Sequence, residues 1–335
     1  MQGIDPTNAK KQEKRLAVRN AQNTFKATAL EWYDTKKGEW SETHAKNVLH
    51  RLETDIFPQL GNTPLKEIKA PDLLDALRKI ERRGALDLPI RTRQICGQVF
   101  RYGVQLGRCD HNPAEALRGA LKTKKTEHYA AITPDELPEL VRAVHRNDAR
   151  LYPRTRNAIL LSLLTFQRPT EIREARWLEI DLDKGLWTIP AQRMKKKREH
   201  IVPLSRQAIA ILKEQKEETA LLKTDWVFPS HIRPRNAMSN NTVRVALQKL
   251  GFKGRMTAHG FRALARTAIR EVLDYPPDVI EVQLAHKAAG PLGEAYNRAQ
   301  FLKRRTVMMQ EWADYIYTVS SGRTVIHANF KSVRG

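Results

Sequence analysis

The chain has 335 residues with 59 Lys and Arg against 37 Asp and Glu, a formal net charge of +22 and a pI near 10.1. That length and a 41% hydrophobic content exclude a disordered or single-element protein and allow two domains with their own cores. No apolar run approaches the roughly 18 residues of a membrane span, and the opening MQGIDPTNAKKQEKR lacks the apolar core of a signal peptide.

So large a positive excess repels itself unless an anion offsets it, and nucleic acid is the leading candidate, ahead of an anionic membrane surface. Cys96 and Cys109 form no C-x-x-C pair, which argues for two reduced thiols and against a zinc ribbon. No metal or cofactor site is expected, and the bacterial cytoplasm is the expected compartment.

Residues 1–21 are polar and basic and are predicted to be a helical linker. A helical domain is predicted over residues 22–117. Its first helix runs from Phe25 to Lys36, and its second from an N-cap at Ser41 to Phe57, where Pro58 should stop it. A third helix opens at APDL, with Leu73, Leu74, Leu77 and Ile80 on one face. The fourth covers Pro89 to Leu106, burying Ile95, Val99 and Tyr102. A basic linker is expected at 118–130, where Lys122, Lys124 and Lys125 are candidate phosphate contacts.

The second domain, 131–318, opens on a capping box in TPDEL, formed by Thr133 and Glu136. RNAILLSLLTF reads as a buried helix, and GLWTIPAQRMKKKREHIVPLS alternates about a basic tip as a β-hairpin does. Helices resume at Ser205, at Asn240 or Asn241, at Ala258 and at Pro277. A last one covers FLKRRTVMMQEWADYIY, before a tail at 319–335. The fold expected is mainly α, with a small β-hairpin or sheet in an α+β second domain.

Three features of that domain carry chemistry. Arg168 follows the apolar helix, with Pro169 positioned to start a new helix and Glu171 placed to brace the guanidinium or cap that helix. His259 and Arg262, three apart at a helix start, share a face near N–H groups that favour a phosphate. The run RMKKKR presents Lys195, Lys196, Lys197 and Arg198 to a groove, without showing which lysine acts. With His286 and Tyr296 ten positions apart, the inventory suits metal-free phosphoryl transfer. That reaction needs positive charge on the non-bridging oxygens, an in-line nucleophile and an acid for the leaving oxygen.

The order Arg, Lys, His-x-x-Arg, His, Tyr resembles the tyrosine recombinase (phage integrase) family. LLTFQRPTEIREARW is similar to its first arginine box, AHGFRALART to the H-x-x-R box, LAHK to the L-G-H box and AYNR to the nucleophile segment. AYNRAQFLKRRTVMMQEWADYI resembles the P4-type integrases of genomic islands. Phe166-Gln167 departs from the usual Gly-containing approach to the first arginine, and Ala285 replaces the usual Gly before His286. P4-type proteins also carry an N-terminal arm-binding domain, and MQGIDP is expected to be the end of its last helix.

The resemblance implies a C-shaped, two-domain clamp on double-stranded DNA at attachment sites. It implies catalysis by Arg168, Lys195, His259, Arg262, His286 and Tyr296, with Glu171 supporting Arg168 and Lys195 selected by counting back from VPL. It also implies a monomer in solution and a homotetramer on paired DNA, helped by an excision factor and a host DNA-bending protein. The activity expected is integration or excision of a mobile element through a 3′-phosphotyrosine. A non-catalytic DNA-binding accessory factor and a type IB topoisomerase-like enzyme are the alternatives.

Overall fold

A computed structural model of the protein describes residues 23–123, 129–286 and 301–321. The chain divides into two compact units, Met1–Glu127 and His128–Gly335. Residues 1–22, with the predicted basic helix, lie outside the described part, as do Lys124, Lys125, Tyr296 and most of the C-terminal tail.

The first unit is helical. Thr24 caps α1 (Phe25–Lys36) by accepting from the Ala27 N–H at 3.3 Å, and Ser41 caps α2 (Glu42–Arg51) in the same way at His44. Beyond Arg51 the chain does not stop at Phe57 as Pro58 suggests. A wide π-type turn, Leu52–Ile56, lets the Phe57 N–H reach the Leu52 carbonyl, and α3 (Phe57–Leu60) starts afresh with Pro58 in its first turn. A proline there lacks only an N–H that has no helical partner anyway.

In α4 (Ala70–Arg82) the Lys69 N–H donates to Asp72 at 2.9 Å, while Leu73, Ala76, Leu77 and Ile80 are buried and Leu74 is half-buried. They pack against Ile95, Cys96, Val99 and Phe100 of α5 (Asp87–Gln105), and the Phe25 and Phe100 rings sit 5.5 Å apart. Cys96 and Cys109 are free and buried, and burial pushes the Cys96 thiol up to about 12, so it stays protonated and unreactive. Leu121 closes this core, and the Lys122 N–H donates to Glu81 at 2.7 Å while its side chain is exposed.

In the second unit the Thr133–Glu136 box forms as predicted, with the Thr133 N–H donating to Glu136 at 2.9 Å ahead of α6 (Leu137–Arg146). The central pillar is α7 (Pro153–Thr165), buried along its C-terminal two turns. Against it pack Phe261 of α11 (Gly260–Glu271) and Trp312 of α13 (Leu302–Ser320), both fully buried. The Trp312 indole N–H donates to the Leu163 carbonyl at 3.0 Å. Each such aromatic contributes about 2–3 kcal/mol by leaving water, so this junction fixes the helix positions on which the site depends.

Between α8 (Pro169–Arg173) and α9 (Arg206–Thr219) lies an antiparallel sheet in the order β1 (Ile180–Asp181), β2 (Leu186–Ile189), β3 (His200–Pro203). The register pairs Trp187 with Val202 and Ile189 with His200. The hairpin is therefore as predicted, with one further short strand. α10 (Thr242–Leu247), α11 and α12 (Pro277–Gln283) complete the unit. Gly260 begins α11 where the chain passes so close to residue 130 that a Cβ would lie 2.4 Å from the Ala130 carbonyl oxygen. No helix among the described residues is long and apolar enough to cross a membrane.

Candidate active site

Arg168 occupies the N-cap position of α8, immediately beyond α7. Glu171, three residues on and buried, accepts from the Arg168 backbone N–H at 2.7 Å and from its guanidinium at 2.7 Å. One carboxylate thus caps the helix and orients the arginine, the bracing predicted from the spacing. The other arm of Arg168 reaches the Ala285 carbonyl at 3.5 Å.

Arg262, on the first turn of α11, is 4% exposed. Its Nη1 donates to the Phe166 carbonyl at 2.8 Å, and its Nη2 donates to the Leu284 carbonyl at 2.6 Å and to His286 Nε2 at 3.1 Å. Among the described residues no carboxylate forms an ion pair with it. Burial and the neighbouring positive charge of Arg168 push its guanidinium down to about 10, still charged at neutral pH. Two guanidiniums held together with one bracing carboxylate leave an excess positive charge that an anion would relieve.

Two strained residues supply carbonyls to the arginines, Phe166 to Arg262 and Ala285 to Arg168. Phe166 (φ 41°) and Ala285 (φ 50°) both adopt the left-handed conformation that glycine favours. These are the two positions at which the resemblance leads one to expect glycine, and here Phe and Ala take that conformation. Such strain costs about 1–3 kcal/mol per residue. At Phe166 it is offset by a fully buried ring.

His259 occupies the N-cap position of α11, and its ring is tilted by 49° against that of Tyr129 with centroids 4.6 Å apart. Burial, then Arg262 and Arg168, lower its pKa from the ordinary imidazole value, as burial does for His286. The structure therefore brings together Arg168, Glu171, Arg262 and His286 through hydrogen bonds, and places His259 at the head of the same helix as Arg262.

Lys195 lies in the ten-residue connection between β2 and β3, exposed, as are Lys196, Lys197 and Arg198. Arg193, counted with the basic tip in the sequence, instead turns inward. It pairs with the buried Glu179 and donates to the Glu171 carbonyl at 2.7 Å, fastening the foot of the connection to α8. Among the described residues no His, Cys, Asp and Glu group is arranged to hold a metal ion.

Sequence similarity decides the family. The phage integrase family matches residues 130–303, and the phage integrase central domain matches residues 25–120. Prophage integrase IntA of Escherichia coli K12 is 38% identical over 96% of this chain and 77% of its own length. The integrase of enterobacteria phage P4 is 39% identical over 94% of this chain and 74% of its own. The chain belongs to the phage integrase family. This integrase also shares its fold with a lambda integrase tetramer solved on a Holliday junction. The TM-score is 0.64 at 19% identity, over 87% of this chain and 83% of that one.

Several residues that shape the integrase site were not singled out in the sequence. His200 of β3 is buried and its Nε2–H donates to the Gln283 carbonyl at 3.1 Å; burial, with Arg305, Arg168 and Arg262 nearby, holds its pKa at about 3. The Gln283 side chain accepts from Arg305 Nε of α13 at 2.9 Å, and Gln167 donates to the carbonyls of Thr165 and Gln283 at 3.0 and 3.2 Å. These bonds tie β3, α12 and α13 to the turn before Arg168. They join residues up to 116 positions apart, which no local pattern encodes.

Proposed function

We propose that this chain cleaves and rejoins double-stranded DNA at specific attachment sites, with Tyr296 as nucleophile. The observation that carries the reading is the convergence of Arg168, Arg262 and His286 around excess positive charge. Integration and excision of DNA by a site-specific recombinase is the activity of the family to which the chain belongs.

In this reading the Tyr296 oxygen attacks the scissile phosphorus, a 3′-phosphotyrosine bond forms and the bond to the 5′-oxygen breaks. Arg168 and Arg262 hold the non-bridging oxygens as charge grows on them, and His286 hydrogen-bonds the phosphate. Lys195 protonates the departing 5′-oxygen, and His259 assists proton transfer at the tyrosine side. Attack by a partner strand's 5′-hydroxyl then restores a phosphodiester and frees the tyrosine. The phosphotyrosine keeps the bond energy, so neither ATP nor a metal ion enters the balance.

Lys122, Lys124, Lys125, Lys196, Lys197 and Arg198 would contact the DNA backbone. The lambda integrase tetramer on a Holliday junction supports a tetramer on paired sites for this chain. An excision factor, a host DNA-bending protein and action on the bacterial nucleoid belong to the same proposal.

The function is tested with DNA carrying both junctions of the mobile element. Recombinant circles should form without ATP and in the presence of EDTA. Relaxation of any supercoiled plasmid, with no dependence on junction sequences, would favour the topoisomerase-like reading instead.

The acid is tested separately. Lys195→Ala should slow cleavage of an ordinary phosphodiester by about 10²- to 10⁴-fold, the range of a general acid. A 5′-phosphorothiolate, whose thiolate leaves unprotonated, should be cleaved at nearly the wild-type rate. Equal losses on both substrates would remove Lys195 from that role.

A further inference from the structure

The partners of His286 fix the role of each ring nitrogen. Nδ1 lies 2.6 Å from Glu281 Oε2, and an ionised carboxylate only accepts, so Nδ1 carries a proton. Nε2 lies 3.1 Å from Arg262 Nη2, and a guanidinium only donates, so Nε2 presents its lone pair. The neutral ring is held in one tautomer.

Glu281 is itself fixed. Its Oε1 accepts from Arg266 Nε of α11 at 2.7 Å, and its backbone carbonyl accepts from the His286 N–H at 2.9 Å, closing the chain just past α12. The family motifs do not include this residue, and its position five before the histidine gives it no helical register with His286, which lies beyond α12.

A ring in this state cannot donate from Nε2 to a phosphate oxygen. To do so it must take a second proton from solvent at Nε2 and become imidazolium. Among the described residues, the charged groups around it are Arg262 of α11, Arg168 ahead of α8, His259 at the head of α11 and Glu281 of α12. Glu281 is the one that favours the imidazolium; Arg262 and Arg168 oppose it until a phosphate offsets them.

We propose that Glu281 is a positioning residue of the strand-transfer reaction, holding His286 in the Nδ1-protonated tautomer and counterbalancing the imidazolium that donates to the scissile phosphate. The proposal rests on the reading of His286 as a phosphate ligand. It predicts that Glu281 acts only through His286, whereas a mere tether between α11 and α12 would act without it.

The experiment is a double-mutant cycle on the full chain, read as single-turnover cleavage with saturating junction DNA, beside DNA affinity and ¹⁵N-histidine NMR of the free protein. Glu281→Ala should slow cleavage about 10- to 100-fold, as loss of an outer partner of a working histidine does, with affinity little changed. Glu281→Gln, which keeps an acceptor for Nδ1–H and safeguards folding, should also be slow because the charge is gone. In a His286→Ala background neither substitution should slow cleavage further. The His286 signals should show protonated Nδ1 and bare Nε2 in the wild type and lose that pattern in Glu281→Ala.

Equal slowing with and without His286 would overturn the proposal and leave Glu281 as a tether. So would a wild-type spectrum with the proton on Nε2, whatever the rates. Unimpaired cleavage by His286→Ala alone would instead remove the underlying reading of His286, and the proposal with it.

Discussion

Tyr296→Phe should abolish the covalent protein–DNA adduct on a nicked suicide substrate, lowering cleavage by about 10⁴-fold or more, the scale set by deleting a nucleophile. DNA affinity should stay nearly unchanged, because the lost group is one phenol oxygen. Other tyrosines of the C-terminal part have partners of their own. Tyr275 donates to Glu311 at 2.7 Å, Tyr315 stacks on Trp312 with centroids 5.9 Å apart, and Tyr317 meets the His145 ring. Burial raises the pKa of Tyr315 and Tyr317, which disfavours the phenolate. An adduct that persists in Tyr296→Phe would place the nucleophile elsewhere.

Arg262→Lys should be nearly as damaging, although it keeps the charge. The guanidinium spans the Phe166 and Leu284 carbonyls and His286 at once, through a planar fork that a lysine ammonium cannot copy. Each charge-assisted bond contributes about 1.5–3 kcal/mol, so losing two places the effect near 10²- to 10⁴-fold in single-turnover cleavage. Thermal unfolding measured beside it separates catalysis from folding, since the two carbonyls lose a donor. A well-folded Arg262→Lys protein that cleaves within about tenfold of wild type would contradict the bridging role.

The helix starts were legible because caps are local. Ser205, Thr133 and Pro277 open elements at or within a residue of where the sequence predicts, and the β-hairpin followed from alternation about a basic run. The brace on Arg168 was legible too, because Glu171 lies in the same turn. Pro58 misled because a π-type turn reset the hydrogen bonding ahead of it. Arg193 resembled its basic neighbours in sequence, and its inward turn depends on a buried carboxylate at Glu179, fourteen residues away. The left-handed turns at Phe166 and Ala285 were hidden because their residue types do not advertise that conformation; long-range packing and the bonds to Arg262 and Arg168 impose it. The choice of Lys195 over its neighbours came from the family spacing, and exposure alone does not separate the three lysines.

The central claim is a covalent bond between Tyr296 and a DNA 3′-phosphate. Its most direct test is to trap the integrase on a suicide substrate carrying an element junction, digest the adduct and locate the attached nucleotide by tandem mass spectrometry. The adduct should carry a 3′-linked nucleotide on Tyr296, with a free 5′-hydroxyl on the released strand. A nucleotide on any other residue, or linkage through a 5′-phosphate, would contradict the claim.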